Sequence, residues 1–167
     1  KTLAQAAGEA GLHYADFLIK IGPGGASGAH FTMDDALQDI LVLEPDVAIS
    51  TDGGPGMRHP RATGTYAKLI EQNVVNSGRL PIEQAVRNAS ALPARILRLA
   101  DRGMVRPGAK ADLILFAPDR VKARSSYLDP FAQAQGFDMV MVNGRPAFEG
   151  GKRVGAPGRL LRAARAS

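Results

Sequence analysis

At 167 residues, 45% hydrophobic and 22% charged, the chain is long enough for a buried core and too apolar for a disordered tail. The absence of cysteine removes disulfides, thiolate zinc sites and a cysteine nucleophile together, so His, Asp and Glu are the available metal ligands. The net charge of +5 is local: from Arg145 onward six basic residues face Glu149 alone and the rest of the chain balances, which marks a basic tail, not a nucleic-acid-binding domain.

Residues 2–20 have the spacing of an amphipathic helix through Leu3, Ala6, Ala7, Ala10, Phe17 and Leu18, with Gly8 and Gly11 placed to break it in two. GPGGASG at 22–28 is a loop. Thr32 followed by Asp35 resembles a capping box for a helix carrying Ala36, Leu37, Ile40 and Leu41, which Pro45 ends. DVAIS at 46–50 is short, apolar and bounded by Pro45 and TDGGPG, so it is expected to be a buried strand. Alternation of helix and strand predicts an α/β architecture with parallel strands, whose carboxyl ends gather functional groups; Thr51 and Asp52 lie at such an end. Helices are predicted from Tyr66 to Val75, after Pro81 and after Pro93. ADLILFA at 111–117 and MVMVNGRPAFEGGKRV at 139–154 are predicted strands, the latter a hairpin turning at Asn143-Gly144. Residues 120–138 show no usable periodicity, and no run of 18 apolar residues exists.

Asp52 is the leading chemical candidate, because a carboxylate just beyond a buried strand can bind a metal or act as general base. A turn aspartate before Gly53 is the plainer alternative. His59-Pro60-Arg61 follows in a predicted loop near the same strand end, and the Arg61 fork suits a carboxylate ligand, a solvated arginine being the alternative. His13 and His30 have no second histidine at ligand spacing. GPGGASG and GGPG match neither GxGxxG nor GxxxxGK[ST].

STDGG, then HPR, then SALPARILRLADRGMVRPGAKADLILF and MVNGRPAFEGGKRVGAPGRLLR resemble the C-terminal portion of the N-acyl-D-amino-acid deacylase (D-aminoacylase) family of the amidohydrolase superfamily. The resemblance runs through most of the chain. It implies an α/β fold, the C-terminal part of a (β/α)8 TIM barrel over residues 1–102, followed over 103–167 by strands of a small β-sandwich and the tail. It also implies a catalytic Asp52 that binds metal and shuttles a proton, with Arg61 holding the substrate's α-carboxylate and His59 belonging to the same substrate-binding motif. The implied cofactor is zinc, one or two divalent ions, with most ligands outside this chain. The implied reaction is deacylation of N-acyl-D-amino acids. The alternatives are a cyclic amidase of hydantoinase or dihydroorotase type, against which HPR argues, and a noncatalytic fragment. A complete barrel needs roughly 200 residues or more. With Lys1 at the start and no HxH pair, the expected partners are the N-terminal part of the same enzyme and a small-molecule N-acyl amino acid, with no nucleic acid and no membrane. The compartment stays open, the cytoplasm being favoured.

Overall fold

In the computed structural model, residues 1–26, 28, 32–54 and 56–161 are described. His30, considered above as a ligand, lies outside them, as does the end of the basic tail. Two compact units make up the chain, Lys1–Thr32 and Met33–Ser167. The first is a helix pair, α1 (Leu3–Glu9) and α2 (Tyr14–Ile21), separated where Gly11 takes φ +65°. Thr2 and Gln5 form a capping box on α1, and His13 Nδ1 accepts the Ala15 N–H at the start of α2. His13 is thus a helix cap.

The second unit opens with α3 (Asp35–Leu43), capped by Asp34, whose Oδ1 accepts the Leu37 N–H at 2.9 Å. The cap expected at Thr32 therefore falls two residues later, since a cap must reach the amide three residues ahead of it. After Pro45 the 46–52 segment carries no strand, contrary to expectation. Strands exist only by pairing, and this segment instead turns back at Val47 N–H to Glu44 O, 3.3 Å, and meets α5 through the Ile49 N–H to Asn88 O bond of 2.9 Å.

α4 (Arg61–Lys68) starts five residues before the predicted helix and runs into a π-helical stretch, Leu69–Asn76. Its first turn, RATGT, carries no apolar periodicity, while Pro60 at φ −58° sets the entry. α5 (Ile82–Ala89) and α6 (Ala91–Ile96) follow, with Pro93 inside α6, in its first turn.

The sheet is an antiparallel meander in the order β1 (Leu113–Phe116), β2 (Phe137–Val142), β3 (Arg145–Glu149) and β4 (Lys152–Arg153). Asn143 and Gly144, at φ 50° and 74°, turn the β2–β3 hairpin where the sequence placed it. A second turn at Gly150-Gly151 makes β4 a separate strand. Ala67, Leu69, Ile70, Leu80, Ala85 and Val121 form the buried core, with Ile49, Phe116 and Phe137 packed against it. That core joins the helices to the loop before Asp52. No helix among the described residues is long and apolar enough to cross a membrane.

Candidate functional site

Asp52, His59 and Arg61 come together where the 46–52 segment meets the first turn of α4. The segment is held from behind by α5. The Asn88 side chain is 1% exposed; its Nδ2 donates to Glu44 O at 3.0 Å, and its Oδ1 accepts from Arg87 Nη1 at 3.1 Å. Its carbonyl takes the Ile49 N–H, and Gln84 Nε2 donates to Leu43 O at 2.7 Å. Buried amide groups paired in this way fix the backbone leading to Asp52.

Asp52 itself sits at φ 46°, in the left-handed region that aspartate tolerates better than most residues. Gly53 follows because the chain passes against α4: a Cβ there would lie 3.0 Å from Ala62 Cα and 3.2 Å from Ala62 Cβ. That close approach brings Asp52 Oδ2 to 2.7 Å from Arg61 Nη2. With side chains 79% and 44% exposed, the pair contributes little to stability, and its significance is one of placement.

Arg61 is the first residue of α4 and not a loop residue as the sequence suggested. Its N–H donates to His59 Nδ1 at 3.1 Å. That bond assigns the Nδ1 lone pair to the helix end and favours a neutral ring with the proton on Nε2. Burial holds the His59 imidazole below the usual histidine range; the Arg61 guanidinium pushes the same way and Asp52 opposes it. The ring edge also meets Tyr127 in a T-shaped contact, centroids 5.1 Å apart.

Asp52 offers an exposed hard oxygen donor at a loop end, which suits one ligand position on a divalent ion. No group of three or more His, Cys, Asp or Glu able to hold a metal exists among the described residues. Among the described residues, Asp52 thus fits one position of such a site.

The sequence reading missed the residues that hold this constellation: Asn88 behind it, and Thr63, Ser125 and Tyr127 beside it. Asn88 is one polar residue on an amphipathic helix, and 120–138 carries no period.

A family model described as the amidohydrolase family matches residues 4–148, and the chain belongs to that family. Within it, the likeness is to the N-acyl-D-amino-acid deacylase group, which includes D-aminoacylase. The chain is 33% identical over 157 residues to N-acyl-D-aspartate deacylase of Alcaligenes xylosoxydans xylosoxydans, covering 92% of this chain and 31% of the relative. It is 32% identical over 164 residues to N-acyl-D-glutamate deacylase of the same organism, covering 97% and 33%. The solved N-acyl-D-glutamate deacylase from Bordetella bronchiseptica, complexed with zinc and a phosphonate mimic of the tetrahedral intermediate, superposes with a TM-score of 0.88 at 33% identity, over 98% of this chain and 34% of that one. The chain thus spans about a third of the length of the relatives it matches. Its mixed α/β architecture, helices followed by an open four-stranded sheet, is that of a partial TIM barrel with sandwich strands, as in that solved structure.

Proposed function

We propose that the protein containing this chain hydrolyses the amide of N-acyl-D-amino acids with the help of zinc, residues 1–102 belonging to its barrel and 103–167 to its sandwich. The observation that carries the reading is the convergence of a loop-end carboxylate, Asp52, with a forked cation, Arg61, at 2.7 Å on a chain of this family. Asp52 would be one ligand of an ion whose other ligands lie outside this chain. Such an ion, when bound, polarises the amide carbonyl and lowers the pKa of water.

Asp52 accepts a proton from the attacking water at its carboxylate and returns it to the amide nitrogen as the C–N bond breaks, so that water and amide become acid and amine. Arg61 pairs with the substrate's α-carboxylate through its planar fork, exchanging its contact with Asp52 for one with substrate. His59 orients Arg61 through the helix end, its Nδ1 accepting the Arg61 N–H.

The test uses the full-length, zinc-loaded protein with an N-acetyl-D-amino acid, its L-enantiomer, its α-carboxamide and a hydantoin, following amine release. Turnover of the D-acid well above the other three is expected. Arg61→Lys is expected to cost roughly 1.5–3 kcal/mol in kcat/KM for the acid and little for the carboxamide. Absence of amine release from the D-acid, or turnover of the hydantoin alone, overturns the reading.

A further inference from the structure

The loop between β1 and β2 was silent in the sequence, yet it packs on the turn that carries Arg61. Its base is closed by Lys122 and Gln135, which exchange backbone hydrogen bonds of 3.1 and 3.0 Å. Its tip is closed on itself: the Ser126 N–H donates to Asp129 O, and the Asp129 N–H to Ser126 Oγ, both at 3.0 Å. Bonds within the loop thus close both its base and its tip.

Near its base the loop meets Glu71, through the Ala123 N–H and Lys122, and its outer part, residues 125–131, meets residues 58–64. Ser125 Oγ donates to Pro60 O at 3.0 Å, and Thr63 Oγ1 donates to Pro130 O at 2.7 Å, where Pro130 is fully buried. Tyr127 meets the His59 ring, and the Arg58 guanidinium lies 5.7 Å from the Phe131 ring centre. Gly64 completes the fit, since a Cβ there would collide with Ser125 Oγ. By contrast Leu128, at the loop's apex, is 93% exposed, so the loop is held by this seam and not by burial of its apex.

We propose that residues 125–131 are a strap that positions Arg61 for the carboxylate end of the substrate, with Thr63 and Ser125 as positioning residues; the proposal rests on the reading of Arg61 as the carboxylate clamp. The two hydroxyl bonds fix the first turn of α4 at both ends of the strap. Tyr127 holds the His59 ring, whose Nδ1 holds the Arg61 amide. Moving that turn moves the guanidinium relative to Asp52, and fork-to-carboxylate pairing is sensitive to such displacement. The strap therefore acts on substrate selection more than on the reacting atoms.

The experiment uses the full-length, zinc-loaded protein and compares Thr63→Val, which deletes the hydroxyl at nearly constant volume, with Thr63→Ser, which keeps it. For the N-acetyl-D-amino acid, Thr63→Val is expected to raise KM about fivefold or more, with kcat changed less than about twofold, the scale of one lost hydrogen bond. The α-carboxamide should be nearly indifferent, and Thr63→Ser should restore the KM. Ser125→Ala, which releases the other end of the strap, is expected to act in the same direction. Hydrogen exchange of the amides at 59–64 should quicken in Thr63→Val and Ser125→Ala. Equal losses on acid and carboxamide, or exchange unchanged in both variants, overturn the proposal. If the unsubstituted protein shows no preference for the acid, the clamp role of Arg61 is what fails, and exchange at 59–64 alone then supports or overturns the strap's hold on the turn.

Discussion

Truncating Asn88 to alanine tests whether the segment before Asp52 is anchored from α5. The side chain is almost completely buried and makes two hydrogen bonds, to Glu44 O and from Arg87 Nη1. Each is worth about 1 kcal/mol net, and the space left by three removed heavy atoms adds about another 1 kcal/mol, so a loss of roughly 2–4 kcal/mol is expected. That lowers the folded-to-unfolded ratio by at least about thirtyfold. The local consequence is more specific. With the Asn88 side chain gone, the carbonyl that accepts the Ile49 N–H is less firmly placed, and the Ile49 amide should exchange faster than those of the distant β2–β3 hairpin. Denaturant unfolding of the full-length protein, with residue-resolved hydrogen exchange, measures both. A loss below about 0.5 kcal/mol, or exchange quickened equally at Ile49 and in the hairpin, would refute the anchoring argument.

Three further outcomes follow from the geometry. The Glu71 carboxylate accepts the Ala123 N–H at 2.8 Å, the main reason its pKa is lowered, and it pairs with Lys122 at 3.1 Å. A lowered folded-state pKa gives stability that is present above the ordinary value of 4.5 and lost as pH falls through the folded value. The stability gap between the unsubstituted protein and Glu71→Gln should therefore shrink in acid titrations, and a gap constant from about pH 7 to 3 would refute this. Asp112 takes the Asn143 N–H at 2.7 Å and pairs with Arg102, whose side chain is 12% exposed. Burial pushes the Asp112 carboxyl up, but these partners outweigh it and hold it low. Asp112→Ala removes the acceptor of the Asn143 N–H and one partner of Arg102, which keeps Asn143 Oδ1 and Asp101, and is expected to cost about 1.5–3 kcal/mol in chemical denaturation, a loss under about 0.5 kcal/mol counting against that account. Asp52→Asn should lower kcat by at least ~10²-fold with the fold intact by circular dichroism, and near-normal turnover removes Asp52 from the mechanism.

The elements set by short-range chemistry were legible from the chain. Asn143-Gly144 announces its hairpin because few residue pairs accept two consecutive positive φ angles. Gly11 divides the first helical stretch, and α3 ends before Pro45, for equally local reasons. The candidate residues Asp52, His59 and Arg61 were legible too, through a motif resemblance and the chemistry of their side chains. The strand expected at 46–50 was not realised, because a strand requires a pairing partner and apolar content alone cannot supply one. The start of α4 was misplaced because RATGT has no apolar face, while a proline entry and the His59 cap begin the helix at Arg61. The strap stayed invisible for the same reason: its bonds join residues more than sixty positions apart and leave no periodic trace. Local propensities fixed where the chain turns and coils, whereas the 2.7 Å approach of Asp52 to Arg61 was decided by the missing Cβ at Gly53, by Asn88 beneath the loop and by the packing of α4, none of which acts until the chain has folded.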